Sequence, residues 1–174
     1  TALRTLRRAH RQLESGQHAQ AYPALKRLAE AADREGKRVQ AATLYARAAR
    51  ARIEMAAPGS QNAAWDTVEL GQNALNLLVA AGETADARRA ARAHALLASV
   101  LRALEKGHYI EQAVTLRAEG SALLGARSQA APPPQTALPA HCPSCGAKLR
   151  ADEVAWHGPD RAECAYCGTA IPLT

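Results

Sequence analysis

Phenylalanine is absent from this 174-residue chain, and aromatic residues together make up only 3% of it. Sandwiches and barrels draw on aromatic and β-branched side chains, so that shortage argues against a fold built of sheets. No apolar run approaches the ~20 residues needed to cross a bilayer as a helix. Arg4, Arg7, Arg8 and Arg11 interrupt every early apolar stretch, and no signal peptide is read there. The first 141 residues hold no cysteine, which excludes disulfides from most of the chain. There is no G-x-x-x-x-G-K phosphate loop, no H-E-x-x-H pair and no G-x-S-x-G elbow. The six histidines are scattered and no paired carboxylates stand out. A soluble, cytoplasmic non-enzyme with no membrane partner is expected.

What the chain does have is alanine, roughly a quarter of all residues and the best helix former. Apolar positions at helical spacing mark six helices. Leu3, Leu6, His10 and Leu13 line the first, which Ser15-Gly16 stops. The second runs from about Ala19 to Glu35, with Pro23 placed in its first turn, where the missing amide costs nothing. A third follows Gly36, with Val39, Tyr45, Ala48, Ile53 and Ala56. Ser60 caps a fourth, carrying Trp65, Val68, Leu75, Leu78 and Val79. Thr84 caps a fifth, with Leu96 to Leu104, and Gly107 begins the turn into a sixth, with Tyr109, Ala113, Leu116, Leu123 and Leu124. Short glycine turns favour antiparallel neighbours packed in pairs. Core packing is the expected role of Trp65, Tyr22, Tyr45 and Tyr109.

The net charge of +6 is concentrated at one end. Residues 1–57 carry twelve basic and five acidic side chains, a net +7, whereas the remainder is close to neutral. Such a field steers an acidic protein or the phosphates of a nucleic acid, although a solvated face in an Arg-rich composition gives the same pattern. Arg47, Arg50 and Arg52 are the candidate contacts on the third helix.

An internal echo runs through the helices: Gly16 to Ala21, Gly36 to Ala41 and Gly82 to Ala87 each read G-x-x-x-x-A. Together with "ATLYARAA" at residues 42–49, it resembles the tetratricopeptide repeat. The resemblance covers residues 1–125 and implies stacked helical hairpins that bind protein partners. The glycines fall 20 and 46 residues apart, not at that family's steady 34, and its Trp-Leu-Gly start is missing.

Composition changes at Ala126. Pro132, Pro133, Pro134 and Pro139, with no apolar period around them, read as an extended linker over 126–140. All four cysteines follow, as Cys142-x2-Cys145-x18-Cys164-x2-Cys167, each pair continued by a glycine. Two such turns supply four thiolates to one tetrahedral zinc, and the glycines permit positive φ so that backbone amides face the sulfurs. Two disulfides are the competing reading, disfavoured by the paired turns. The tail 141–174 resembles a zinc ribbon, with strands expected at Lys148–Arg150, Val154–Trp156 and Arg161–Glu163 and a turn at Gly158-Pro159-Asp160. Four thiolates leave no open position, so the zinc is expected to be structural, with His141 and His157 as surface residues.

The expected fold is therefore mainly α: antiparallel helical hairpins over 1–125, a linker, and a small β zinc ribbon at 141–174. The expected function is an adaptor in a bacterial multi-subunit assembly, with helices and ribbon acting as separate modules and few contacts between them. Trp156 is the ribbon's candidate anchor. Two rivals stand beside it. "CPSCGAKL" and "CAYCGTAIP" resemble the first and last cysteine pairs of RING-type ligase domains. That implies a one-zinc component of a ubiquitin-like conjugation system. The basic helices together with a zinc ribbon instead suggest a nucleic-acid-associated protein.

Overall fold

The computed structural model describes residues 1–83, 87–124, 138–151, 154–156 and 162–171. The fold is mainly α: six packed helices followed by a small cysteine unit with short antiparallel strands. The helices are α1 (Ala2–Glu14), α2 (His18–Arg34), α3 (Arg38–Glu54), α4 (Gln61–Ala80), α5 (Ala87–Lys106) and α6 (Ile110–Leu124). Each of the first five packs on its successor, and α3 also lies against α5 and α4 against α6. This is a two-layer stack of helical hairpins, the odd and even helices forming opposite layers.

The G-x-x-x-x-A echo has a local cause. Gly16, Gly36 and Gly82 sit just past helix ends with φ of +74°, +73° and +74°. In each case the next residue's amide reaches back over the helix end: Gln17 to Gln12, Lys37 to Ala32 and Glu83 to Leu78. This closes the last turn and satisfies carbonyls that the helix leaves orphaned. In the first two copies the alanine five residues later, Ala21 or Ala41, lies at the end of the next helix's first turn and is fully buried there, and in the third Ala87 is the first described residue of α5. The glycine reverses the chain, and the alanine lets the new helix close on its predecessor.

α3 is the centre of the stack. Ten of its residues are buried, among them Ala41, Ala42, Ala46, Ala48, Ala49 and Ala51, so it presents no single apolar stripe. Small side chains let α2, α4 and α5 all approach it. Glycine serves the same end elsewhere: a Cβ on Gly71 of α4 would lie 3.1 Å from Leu116 of α6. The buried hydroxyls are bonded within the stack, Thr43 donating to Val39 O (2.8 Å) and Thr67 to Ala63 O (2.8 Å).

Several expectations are corrected. α2 begins at His18, so Pro23 lies in its second turn, inside the helix. Its missing amide leaves the Ala19 carbonyl without its helical donor, which is tolerable because both residues are exposed to water. Ser60 does cap α4, accepting from the Ala63 amide. Gly107 does begin the turn after α5, but the left-handed position of that turn falls on His108, at φ +62°. Gly107 instead makes room for an aromatic ring, since a Cβ there would fall 2.7 Å from Tyr109. Tyr45 and Tyr109 are buried and Tyr22 is half-buried, but Trp65 is 43% exposed and Leu3, Val79 and Leu123 also face solvent. Thr84 and most of the proposed linker, Pro132 to Pro134 included, lie outside the described residues.

The exchange of roles at 107 and 108 sets up opposite outcomes in urea denaturation. His108→Gly relieves left-handed backbone strain and is expected to raise stability by about 0.5–1 kcal/mol. Gly107→Ala drives a methyl into Tyr109 and should lower it by about 1–3 kcal/mol.

Candidate metal centre

The two cysteine pairs fold as copies of one hairpin. In the first, the Cys142 amide donates to Ala147 O (2.8 Å) and the Gly146 amide to Cys142 O (2.9 Å). In the second, Cys164 donates to Thr169 O (2.9 Å) and Gly168 to Cys164 O (2.8 Å). Gly146 and Gly168 have φ of +73° and +69°, the conformation expected of them from the sequence. Each hairpin pairs the residue before its first cysteine with the third residue after its second: His141 with Lys148, and Glu163 with Ala170. The strands are β1 (Ala155–Trp156), β2 (Ala162–Glu163) and β3 (Ala170–Ile171), antiparallel in that order. The second and third expected strands thus form in part, and of the first Lys148 makes a single bridge. β3 was not foreseen, because the C-terminal "TAI" carries no alternation of its own. The Gly158-Pro159-Asp160 turn, Arg161 and His157 lie outside the described residues.

Facing turns bring four sulfurs together, all within 4.8 Å of one another. Cys142 and Cys167 are 3.7 Å apart, as are Cys145 and Cys164. A tetrahedral ion with metal–sulfur bonds of about 2.3 Å spaces its ligands about 3.8 Å apart, so the four positions fit one metal ion. The separations are far beyond bonding distance for sulfur, and all four cysteines are free. Cys142, Cys145 and Cys164 are buried, and Cys167 is half-buried. Backbone amides face the sulfurs: Ala147 donates to Cys145, and Thr169 to Cys167. Hydrogen bonding from Cys145 and Cys164 holds the Cys167 thiol far below its ordinary value, whereas bonding to Cys164 and Cys167, with burial, pushes Cys145 up. A cation at the centre would favour the thiolate at every position. His141 points elsewhere, with its Nε2 3.1 Å from Glu14 of α1.

The cysteine unit is not set apart from the helices. Buried apolar residues of the helices and of the unit, Ala147, Leu149, Val154, Ala162, Tyr166 and Ile171 among them, belong to one continuous core. Tyr166, between Cys164 and Cys167, is the centre of the contact and is 3% exposed. Its ring meets His10 of α1 edge-on, with centroids 4.9 Å apart. Arg47 of α3 lies over the ring, 4.8 Å from its centre, and its Nε donates to the Tyr166 hydroxyl at 2.7 Å. Around this, Arg7 donates to Ser144 O, Arg92 of α5 donates to Val154 O (3.4 Å), and Gln40 of α3 touches Gly168. The unit therefore sits on the layer formed by α1, α3 and α5. Few crossing contacts were expected; apolar surface on both sides explains why there are many.

The other candidate residues are placed as follows. Arg47 is engaged by Tyr166. Arg52 pairs with Asp66 of α4 at 2.8 Å, and Arg50 lies 3.8 Å from Glu54 on its own helix. Trp156 is half-buried against the core and its Nε1 donates to Ala151 O at 2.8 Å. Tyr166 and His10 escaped sequence reasoning as a pair. The only signal was a ring between two ligand cysteines and a histidine in a helix's apolar track. Neither family models, nor curated proteins, nor solved structures contain a match to this chain.

His10 carries a pH dependence. Burial first, and then the Arg47 guanidinium, push its pKa from 6.5 down to about 3. The folded state thus binds fewer protons than the unfolded one between those values. Its contribution is complete above pH 6.5 and is lost as pH falls toward 3. At pH 5.5 the His10 ring resonance of the metal-loaded protein should remain that of neutral imidazole. In Tyr166→Ala it should move toward imidazolium; an unmoved resonance would show that Tyr166 does not bury His10.

Proposed function

We propose that this chain is a non-enzymatic protein-binding adaptor, a tetratricopeptide-like stack whose odd-helix layer is capped by a ribbon built on one structural zinc. The supporting observation for the metal is the set of four sulfurs at near-tetrahedral spacing. Zinc suits an all-thiolate set, and four thiolates leave no position for water or substrate. A unit of about 34 residues has little core of its own, so the metal stabilises its fold.

Support for the adaptor reading comes from the opposite layer. Trp65 on α4 is 43% exposed, and Ile110 and Val114 on α6 are 57% and 54% exposed. Gln112 of α6 donates to Gln61 of α4 at 2.8 Å, so these side chains share one end of the stack. Ile110 and Val114 stand two residues either side of Gln112 and so face away from the contact with α4, which leaves the exposed Trp65 as the candidate anchor for a protein partner. The described residues of the ribbon lie against the odd layer.

Elemental analysis of the purified chain should give one zinc, falling to a small fraction in Cys145→Ser. Affinity capture from the native host should yield a partner held by the intact chain and lost with Trp65→Glu. Substoichiometric zinc would overturn the metal assignment. A partner held equally by Trp65→Glu would overturn the proposed surface.

A further inference from the structure

The seam between the helices and the first cysteine hairpin encloses a charged cleft of about 300 Å³. Two periodicities supply its cations. Arg47 and Arg50 are one turn apart on α3 and share a face. On the strand leaving the first hairpin, Ala147 and Leu149 point inward and are buried, while Lys148 and Arg150 alternate outward into the cleft. Four permanent cations thus line one cavity, two from each partner of the seam.

Two carboxylates, Glu14 and Glu54, share it. Both are already matched: Glu14 with His141 of the hairpin at 3.1 Å, and Glu54 with His18 at 3.1 Å and Arg50 at 3.8 Å. The cleft keeps a net charge of +2 with its histidines neutral. Neither half makes this site alone, because the tail 141–174 carries no net basic excess and α3 contributes only one wall.

We propose that this cleft binds an acidic segment of a protein partner. The cations are guanidinium and ammonium groups suited to carboxylates. The lining holds no Phe, Tyr or Trp on which a base could stack, and its imidazole, His18, is held 3.1 Å from Glu54, whereas Leu13 offers an apolar contact to a peptide. The volume is at the low end for a ligand cavity and suits a few side chains of an extended peptide. This inference rests on the adaptor reading only in assigning the acidic segment to a protein.

The test uses the full chain loaded with zinc and fluorescence anisotropy of a labelled twelve-residue Glu/Asp-rich peptide. A Gln/Asn peptide of equal length and a single-stranded oligonucleotide of equal charge are the comparisons. The acidic peptide should bind, the neutral one should not, and the paired change Lys148→Glu with Arg150→Glu should weaken binding at least tenfold. Reversing Lys26 and Arg27, exposed on α2, should change it less than about twofold, since charges beyond a Debye length are screened. Zinc content and helicity must match the parent protein in both variants. If they do not, the same comparison is made with Arg50→Gln, which leaves the cysteine unit untouched and should weaken binding severalfold. Binding of the oligonucleotide in preference to the peptide, or peptide binding indifferent to the cleft changes, would overturn the proposal. Affinity capture with the same variants separates this proposal from the adaptor reading. A partner held equally by parent and cleft variant removes the cleft but leaves the adaptor standing. Absence of any partner, with the peptide still bound in the cleft, does the reverse.

Discussion

Tyr166 is anchored two residues after one cysteine of the cluster and one before another, and its ring is buried against α1 and α3. The rest of the arrangement depends on this placement. A ring so positioned keeps its orientation only while the Cys164–Cys167 turn keeps its shape. The turn keeps its shape only while four sulfurs are held within 4.8 Å. Whatever holds the sulfurs therefore also holds the hydroxyl 2.7 Å from the Arg47 Nε and the ring edge against His10. A hydrogen bond from a charged donor contributes about 1.5–3 kcal/mol, and an aromatic pair about 0.5–1.5 kcal/mol beyond its buried area. Contacts of that size are a large part of what so small a unit can contribute.

The helical side is built to receive it. His10 lies where a leucine would continue the α1 stripe, and it is kept neutral by burial beside a guanidinium. Arg47 leaves the crowded interior of α3 on the one side where the cysteine unit stands. The alanines that let three helices close around α3 leave little apolar area for each side chain to bury. The core accordingly extends into the C-terminal unit through Tyr166, Leu149, Val154 and Ile171. The cysteine turns and the alanine-rich packing are thus two halves of one hydrophobic core, and the seam between them brings Arg47 and Arg50 opposite Lys148 and Arg150.

Much of this was legible in the sequence because it follows from local rules. The glycines at 16, 36 and 82 mark helix ends since left-handed backbone is costly for other residues, and the cysteine spacing describes two equivalent turns. The failures are tertiary. Trp65 reads as core by composition, yet it sits on the outward side of α4 and is 43% exposed. Gly107 begins the turn as read, but what requires glycine there is the bulk of Tyr109, and the left-handed backbone falls on His108. Arg47, Arg50 and Arg52 read as one basic patch, whereas the fold sends Arg47 to Tyr166, Arg52 to Asp66 and leaves Arg50 at a cleft. The proline-rich stretch suggested two independent modules, and nothing local could reveal that apolar residues on either side of it would share a core.

The dependence of the helix contact on the metal-held turn is most directly measured by amide hydrogen exchange on the full chain, with metal bound and after chelation. If Tyr166 transmits the hold of the sulfurs to the helices, chelation should lower protection in both cysteine hairpins and, with them, in α1 around Ala9 to Leu13. Protection in α4 and α6, which make no contact with the unit among the described residues, should stay. Loss of protection confined to the hairpins, with α1 unchanged, would contradict the account and show that the cysteine unit and the helices are held independently.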